Sequence, residues 1–215
     1  MRQTLPVQST APSFAPSEAQ KEARLRFRYF VQEYIAPFAG EWDRAERVPL
    51  EVIDELRARG YLGAPLPGHP GGAMDPITYG LLTEEIARGC SSTRSLLTVH
   101  DMVSLGFYRW GSRAVKEEFG DAISSGRLLC ALALSEPEAG SDAAGIKAEA
   151  RASDAGYVLT GKKMDHIWPD CRSFFGIGAL PGATRCIPGS FVNSRHCAPA
   201  YERHCWNKGL PPCRN

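Results

Sequence analysis

Apolar residues recur at spacings of three and four through the first half of the chain, then give way to one continuous apolar run. After Ser17, the residues Ala23, Phe27, Phe30, Val31, Tyr34, Ile35 and Phe38 share one face of an amphipathic helix. Ser17 with Gln20 has the S-x-x-Q form of a capping box. Pro37, lacking an amide donor, is expected to loosen the last turns. Leu50, Ile53, Leu56 and Tyr61 predict a second helix after Pro49, with Gly60 at its C-terminal end. Residues 63–76 hold four Pro and four Gly and read as loop. A third helix is predicted over 77–89, with Leu81, Leu82, Glu85 and Ile86. A fourth, capped by Ser91 or Ser92, carries Leu96, Val99, Val103, Leu105 and Trp110. A fifth starts after Ser112 and closes at Gly120. Up to residue 126 the pattern is that of a helical bundle.

The period changes at Leu128. Residues 128–134 (LLCALAL) are continuously apolar and short enough for a buried strand. A turn rich in Gly, Ala and Ser follows, then a strand over 146–152. Asp154, Ala155 and Gly156 predict a hairpin turn into Tyr157–Thr160. Helices first and strands afterwards predict an α+β chain: a disordered arm over 1–16, a helical domain over 17–126 and the start of a β domain over 127–164.

Composition adds a third part. The chain has 215 residues, a formal charge of +1, 43% hydrophobic and 23% charged residues. That is a globular composition, and so balanced a charge argues against nucleic acid or an anionic membrane as the main partner. No apolar stretch approaches the length of a membrane span. The first 20 residues carry one Arg and no apolar core, so no secretory signal is expected and the expected location is cytoplasmic. The averages conceal a break, however. Five of the seven cysteines (Cys171, Cys186, Cys197, Cys205, Cys213) but only three of the 24 acidic residues lie in the last 51 positions. No C-x2-C pair occurs among these cysteines and their spacings with His196 and His204 match no zinc module, so no metal site is expected.

The segment with the most chemistry is Ala133–Gly145 (ALSEPEAGSDAAG). An apolar strand delivers the Ser135 hydroxyl at its end, and Pro137 stiffens the turn beyond it. Ala139, Gly140 and Ser141 are small enough for backbone amides to approach an anion closely. A tight turn with no ligand fits the same residues when the turn is considered alone. Glu136 and Glu138 are the nearby carboxylates, and each is expected to be solvated or hydrogen-bonded to backbone rather than to act as a base. His100, with Asp101 in the fourth helix, reads by default as a core or surface histidine.

All thirteen positions of Ala133–Gly145 closely resemble the signature of the acyl-CoA dehydrogenase family, A-L-[ST]-E-P-x-A-G-S-D-x-x-G. Residues 33–44 (EYIAPFAGEWDR), 82–88 (LTEEIAR) and 156–164 (GYVLTGKKM) resemble it too. The resemblance implies a helical N-terminal domain, a β domain and FAD held between that β domain and a C-terminal helical bundle. It implies that Leu132, Ala133, Leu134 and Ser135 run along the flavin, Ser135 bonding its ring system. It places Gly140 and Ser141 near the FAD pyrophosphate, with Ser141 also reaching the thioester arm of the substrate. His100 falls where relatives line the acyl pocket, which makes it a candidate substrate residue. Residues 95–100 (SLLTVH) resemble the branch of the family acting on acyl-carrier-protein thioesters. The implied reaction is α,β-desaturation of an acyl thioester, CoA or carrier protein, with an electron-transfer partner and homo-oligomeric full-length members. The family's base is a Glu of the C-terminal bundle; no residue here is assigned as a catalytic base.

The family continues past Met164 as W-I-T-x-G, with a Trp on the flavin and a Thr at its N5 edge. This chain has Asp165–Pro169 (DHIWP) instead. Regrouping the codons of residues 165–175 into another frame permits ITFGQIAD, and the Trp168–Pro169 junction fixes Gly there. Two bases inserted after the Met164 codon restore the Trp. Residues 165–215 are therefore expected to be an out-of-frame, unstructured tail, and the chain as written to have little or no activity. The alternative expectation is a non-enzymatic helical interaction module, or a partner of a full-length subunit.

Overall fold

A computed structural model of the protein describes residues 15–69, 71–132, 134–153 and 156–162. The expected disordered arm and out-of-frame tail lie outside these residues, apart from residues 15 and 16. The order is α1 (Glu18–Tyr34), α2 (Ala39–Arg44), α3 (Leu50–Ala58), α4 (Pro76–Gly89), α5 (Ser91–Trp110) and α6 (Arg113–Ser124). A 3-10 turn (Ala143–Gly145), β1 (Glu149–Ser153) and β2 (Gly156–Thr160) follow. Among the described residues no helix is long and apolar enough to cross a membrane.

Helix α1 starts where the capping box put it: Ser17 Oγ accepts from the Gln20 amide, and Gln20 Oε1 accepts from the Ser17 amide. Its face of Ala23, Phe27, Phe30, Val31 and the following Ile35 is buried, whereas Tyr34 and Phe38 are exposed. The chain does not simply fray after Pro37; it turns and starts the short α2, which the apolar spacing did not reveal. Asp75 caps α4 by accepting from the amides of Ile77 and Thr78, with Pro76 at the first helical position, where no donor is needed. Helix α5 is capped by Cys90 rather than Ser91 or Ser92, its sulfur accepting from the Thr93 amide. Helix α6 passes through Gly120 and stops at Ser124; the left-handed glycine is Gly126, φ +68°, two residues beyond.

Two apolar cores result. The larger joins Phe27, Phe30, Val31 and Ile35 of α1 to Val52, Ile53 and Leu56 of α3, Leu81, Leu82 and Ile86 of α4, and Leu96 and Leu97 of α5. Phe27 and Phe30 meet Tyr61 edge-on, at centroid separations of 5.4 and 5.3 Å. The smaller core gathers Leu66, Val103, Val115, Ile123 and Cys130, with Leu128 and Leu132 against it. Between α1 and α4 lies one buried charge. Glu85, 2% exposed, accepts from Arg24 Nε at 2.7 Å and Arg28 Nη2 at 2.8 Å. The Arg28 hydrogen bonds are the main reason its carboxyl is held down at about 2.

Other features differ from the expected pattern or add detail to it. Leu105 and Trp110 of α5 are exposed; beside the expected Leu96 and Val103, the buried face carries Thr93, Leu97, His100, Asp101, Ser104 and Gly106, so that half of its eight residues are polar. The loop over 63–76 is tucked in, with Ala64, Leu66 and His69 buried. The described residues of 128–134 form no strand. The Leu128 amide donates instead to the Ala122 carbonyl of α6, at 2.8 Å. The hairpin is present as an antiparallel pair running from Glu149 opposite Thr160 to Ser153 opposite Gly156. Gly156 is thus a paired strand residue, not part of the turn.

Candidate functional site

The apolar run crosses the helical domain with alternate residues meeting alternate surroundings. Leu128, Cys130 and Leu132 pack on the smaller core, while Leu129 packs on the larger one. Three polar attachments secure its beginning at every second residue. Arg57 Nε donates to the Gly126 carbonyl at 3.0 Å, the Leu128 amide donates to Ala122, and the Cys130 amide donates to His100 Nδ1 at 3.1 Å. Leu132, Leu134 and Ser135 emerge beyond, each half-buried. Ala133 lies outside the described residues.

The chain then closes into a loop. Glu136 and Ala139 exchange backbone hydrogen bonds of 2.8 and 3.2 Å around Pro137 and Glu138. The buried Glu136 carboxylate reaches across the loop and accepts from the amides of Lys147 at 2.8 Å and Ala148 at 2.9 Å. It is a clasp, spent on backbone as expected. Glu138 is exposed and paired with Lys147, which holds its carboxyl low. Between hairpin and clasp, Gly140 and Ser141 stand exposed at the apex. A Cβ added to Gly140 would meet no atom within 4 Å. Packing therefore does not require glycine there, and the open flank lets a bulky anion approach the backbone, which fits a dinucleotide pyrophosphate.

Behind the run lies a buried polar cluster. His100 is 0% exposed, and burial lowers its pKa to about 4, with the Arg57 charge adding to the effect. The imidazole is neutral at pH 7, and the Cys130 bond requires a bare Nδ1, so the proton sits on Nε2. Nε2 makes no hydrogen bond of normal geometry, although the Ile123 carbonyl lies on its side. Asp101 Oδ1 accepts from the Gly63 amide at 2.7 Å. Burial pushes the Asp101 carboxyl up to about 7 against the pull of that amide and the Tyr79 hydroxyl. Ser104 Oγ donates to the His100 carbonyl at 2.6 Å and lies 3.7 Å from Cys130 Sγ. Burial pushes the Cys130 thiol up to about 12, leaving it unreactive. Gly63 has φ +74°, and a Cβ there would sit 2.3 Å from the Ser124 carbonyl oxygen. Only glycine brings this loop close enough for its amide to meet Asp101.

Of the residues singled out in the sequence, Leu132, Leu134 and Ser135 lie on one extended segment, and Gly140 and Ser141 on the loop that continues it. His100 lies beneath the segment, facing the core. The Arg57, Gly63 and Glu136 attachments were not foreseen individually; only the glycine in a Pro-rich loop hinted at one of them. Among the described residues no group of three or more His, Cys, Asp or Glu could hold a metal ion.

The family model for the acyl-CoA dehydrogenase N-terminal domain matches residues 17–127. A probable acyl-CoA dehydrogenase of Bacillus subtilis, YngJ, is 32% identical over 155 residues, which cover 70% of this chain and 40% of that one. The mitochondrial short-chain specific acyl-CoA dehydrogenase of Homo sapiens is 33% identical over 138 residues, covering 63% of this chain and 34% of its own length. A glutaryl-CoA dehydrogenase from Mycobacterium smegmatis, solved in complex with FADH2, superposes with a TM-score of 0.69 at 26% identity, covering 77% of this chain and 44% of that one. The chain thus spans well under half the length of these relatives.

Proposed function

The chain belongs to the acyl-CoA dehydrogenase family, and from that membership we propose that its site serves FAD-dependent α,β-dehydrogenation of an acyl thioester, carried on CoA or on an acyl-carrier protein. The observation that carries this reading is the loop itself: a half-buried Ser135 hydroxyl followed by the exposed, unobstructed Gly140–Ser141 apex. The FADH2 held by the glutaryl-CoA dehydrogenase neighbour supports the same cofactor class.

Leu132 and Leu134 offer an apolar edge for the isoalloxazine ring, which excludes water from it, and the family resemblance adds Ala133 between them in sequence. Ser135 supplies a hydroxyl for the ring's polar edge. Gly140 and Ser141 offer amides and a hydroxyl to the pyrophosphate, and Ser141 extends toward the thioester arm. His100, which by resemblance falls where relatives line the acyl pocket, is carried over as the candidate substrate residue. The chemistry FAD supplies when bound is acceptance of the β hydrogen as hydride, paired with loss of the α proton to a base. No residue of this chain is assigned that base: Glu136 is committed to two amides and Glu138 to Lys147. Reoxidation calls for an electron-transfer partner, and the full-length protein is read as a homo-oligomer.

For the chain as written the same reading expects little or no turnover, because W-I-T-x-G is replaced by DHIWP after Met164. An out-of-frame stretch over 165–215 accounts for the replacement. A second reading, a helical module or a partner for a full-length subunit, is favoured by the way α1, α3, α4 and α5 close a core among themselves. The test is to express the chain, record its visible flavin absorbance after purification, and add acyl thioester anaerobically. Stoichiometric FAD that bleaches on substrate addition refutes the inactive reading; a flavin-free, cooperatively melting species favours the module. Sequencing the DNA around codon 165 decides the tail, which is in frame if the alternative frame is closed or unrelated to the family.

A further inference from the structure

We infer that His100 is a positioning residue for the flavin-facing segment: its bare Nδ1 holds the Cys130 amide and so sets the register of Leu132, Leu134 and Ser135 against the helical domain. The inference rests on the assignment of that segment to the flavin.

An extended segment needs a partner for its backbone groups on each edge, and in a sheet a neighbouring strand provides it. Here the helical domain takes that place along 126–130. Its three attachments fall at Gly126, Leu128 and Cys130, which is the two-residue period of a strand edge. The partners come from three different helices: Arg57 from α3, Ala122 from α6 and His100 from α5. The first two act where the segment leaves α6, and a carbonyl or a long, half-buried side chain can follow small movements there. The third lies two residues before Leu132, and it is made by a side chain that is fully buried.

Slipping the segment by one residue would exchange Cys130 for Ala131 opposite His100 and turn Cys130 and Leu132 off the smaller core. The imidazole opposes that slip chemically as well as sterically. Its Nδ1 can only accept, and it must find an amide at one place along the chain. Its orientation is fixed in turn by α5, where Ser104 bonds the His100 carbonyl and Asp101 ties the next residue to Gly63. Cys130, Leu132 and Leu134 share a parity, and Ser135 follows with the opposite one. The amide that His100 selects therefore decides which of these groups faces the flavin side.

The test uses the full chain with nitrogen-15 labelling and compares wild type with His100→Asn and His100→Leu. Asn presents an amide oxygen close to the position of Nδ1 and keeps the acceptor; Leu removes it at similar volume. The wild-type imidazole is expected to show the signature of a bare Nδ1 that accepts a hydrogen bond. Amide exchange at Cys130, Leu132 and Leu134 is expected to accelerate about tenfold or more in His100→Leu, to stay within about twofold in His100→Asn, and to change little in α1 and α4 in either. Unchanged exchange at Cys130 in His100→Leu overturns the inference. So does acceleration of the same size throughout α1 and α4, which would make His100 a packing residue only. FAD added to the wild-type chain decides the premise separately. Shifts at Leu134, Ser135 and Gly140 uphold the flavin assignment; their absence overturns it, while the exchange comparison still decides what His100 holds.

Discussion

The two halves of the described structure are held together by opposite means. The core between α1, α3, α4 and α5 is apolar, redundant and broad, and its one buried charge is met by two arginines. The run from Gly126 and the loop to Ala148 are held by separate polar attachments to one or two backbone groups each: Arg57 to Gly126, His100 to Cys130, Glu136 to Lys147 and Ala148. Dispersion and burial tolerate small shifts, because many contacts share the load. A hydrogen bond to a particular amide does not, so it specifies register where apolar packing cannot. The region proposed to meet the cofactor is the one built by attachments that specify position.

Four tests, using six substitutions, break or sharpen this contrast, in decreasing order of effect. Leu82→Ala opens a cavity in the larger core at a fully buried site and is expected to cost about 3 kcal/mol in urea denaturation. A loss below about 1 kcal/mol would mean the core is not one cooperative unit. Glu85→Gln is expected to cost about 2 kcal/mol at pH 7, a figure discounted because Arg24 and Arg28 are partly in water. The Glu85 carboxyl is held at about 2 instead of 4.5. Its contribution is therefore complete above pH 4.5 and lost as pH falls toward 2. Wild type and variant should converge in stability over that window, and parallel curves would contradict the pairing.

The third test concerns the buried cluster. Folding lowers His100 from 6.5 to about 4 and raises Asp101 from 3.8 to about 7. Between roughly pH 4 and pH 6.5 the folded chain keeps one proton on Asp101 and none on His100, and the unfolded chain does the reverse. Their slopes cancel. Arg57 also faces the pair, and the other titratable groups there, Tyr79 and the Cys130 thiol, are both shifted upward and stay neutral across this range. Each single variant should uncover one slope of at most about 1.4 kcal/mol per pH unit. Asp101→Asn leaves His100 alone, and stability should fall as pH drops from 6.5 toward 4. His100→Asn leaves Asp101 alone, and stability should fall as pH rises from about 4 toward 7. Equal slopes in both variants, measured by urea midpoints across this range, would rule the cancellation out.

The smallest effect is the most local. Glu138→Ala removes an exposed ion pair with Lys147 and should leave the melting midpoint unchanged within error. Glu136→Ala, two residues away, should free the amides of Lys147 and Ala148 to exchange faster and lower stability by about 1 kcal/mol. If the two variants behave alike, Glu136 is not the clasp.

Much of the helical half was legible in the sequence because its signals are local. The Ser17–Gln20 box and the periodic faces of α1, α3 and α4 each declare themselves within a few residues. The faces went wrong where burial and polarity part company. Leu105 and Trp110 were placed on the buried face of α5, and Asp101 and Ser104 were not, because an apolar period has no means of marking a polar group that finds its partner across the core. The same limit applies to 128–134. An apolar run of that length is correctly read as packed, but whether it pairs with a strand or docks on helices depends on what lies beside it.

The candidate site divides in the same way. The order of residues from Leu132 to Ser141 and their resemblance to a family belong to the sequence, since small residues, a proline and a serine at those spacings are a local pattern. The closing of Glu136 onto Lys147 and Ala148, the approach of Gly63 to Asp101 and the hold of His100 on Cys130 span 11 to 38 residues. Contacts of that separation form only after the helices have packed, because the chain must first give up the entropy of closing each loop. By itself the sequence determined the helices, the family and the chemical groups on offer. Tertiary packing alone decided which amide each buried acceptor would hold, and so where the site's residues stand.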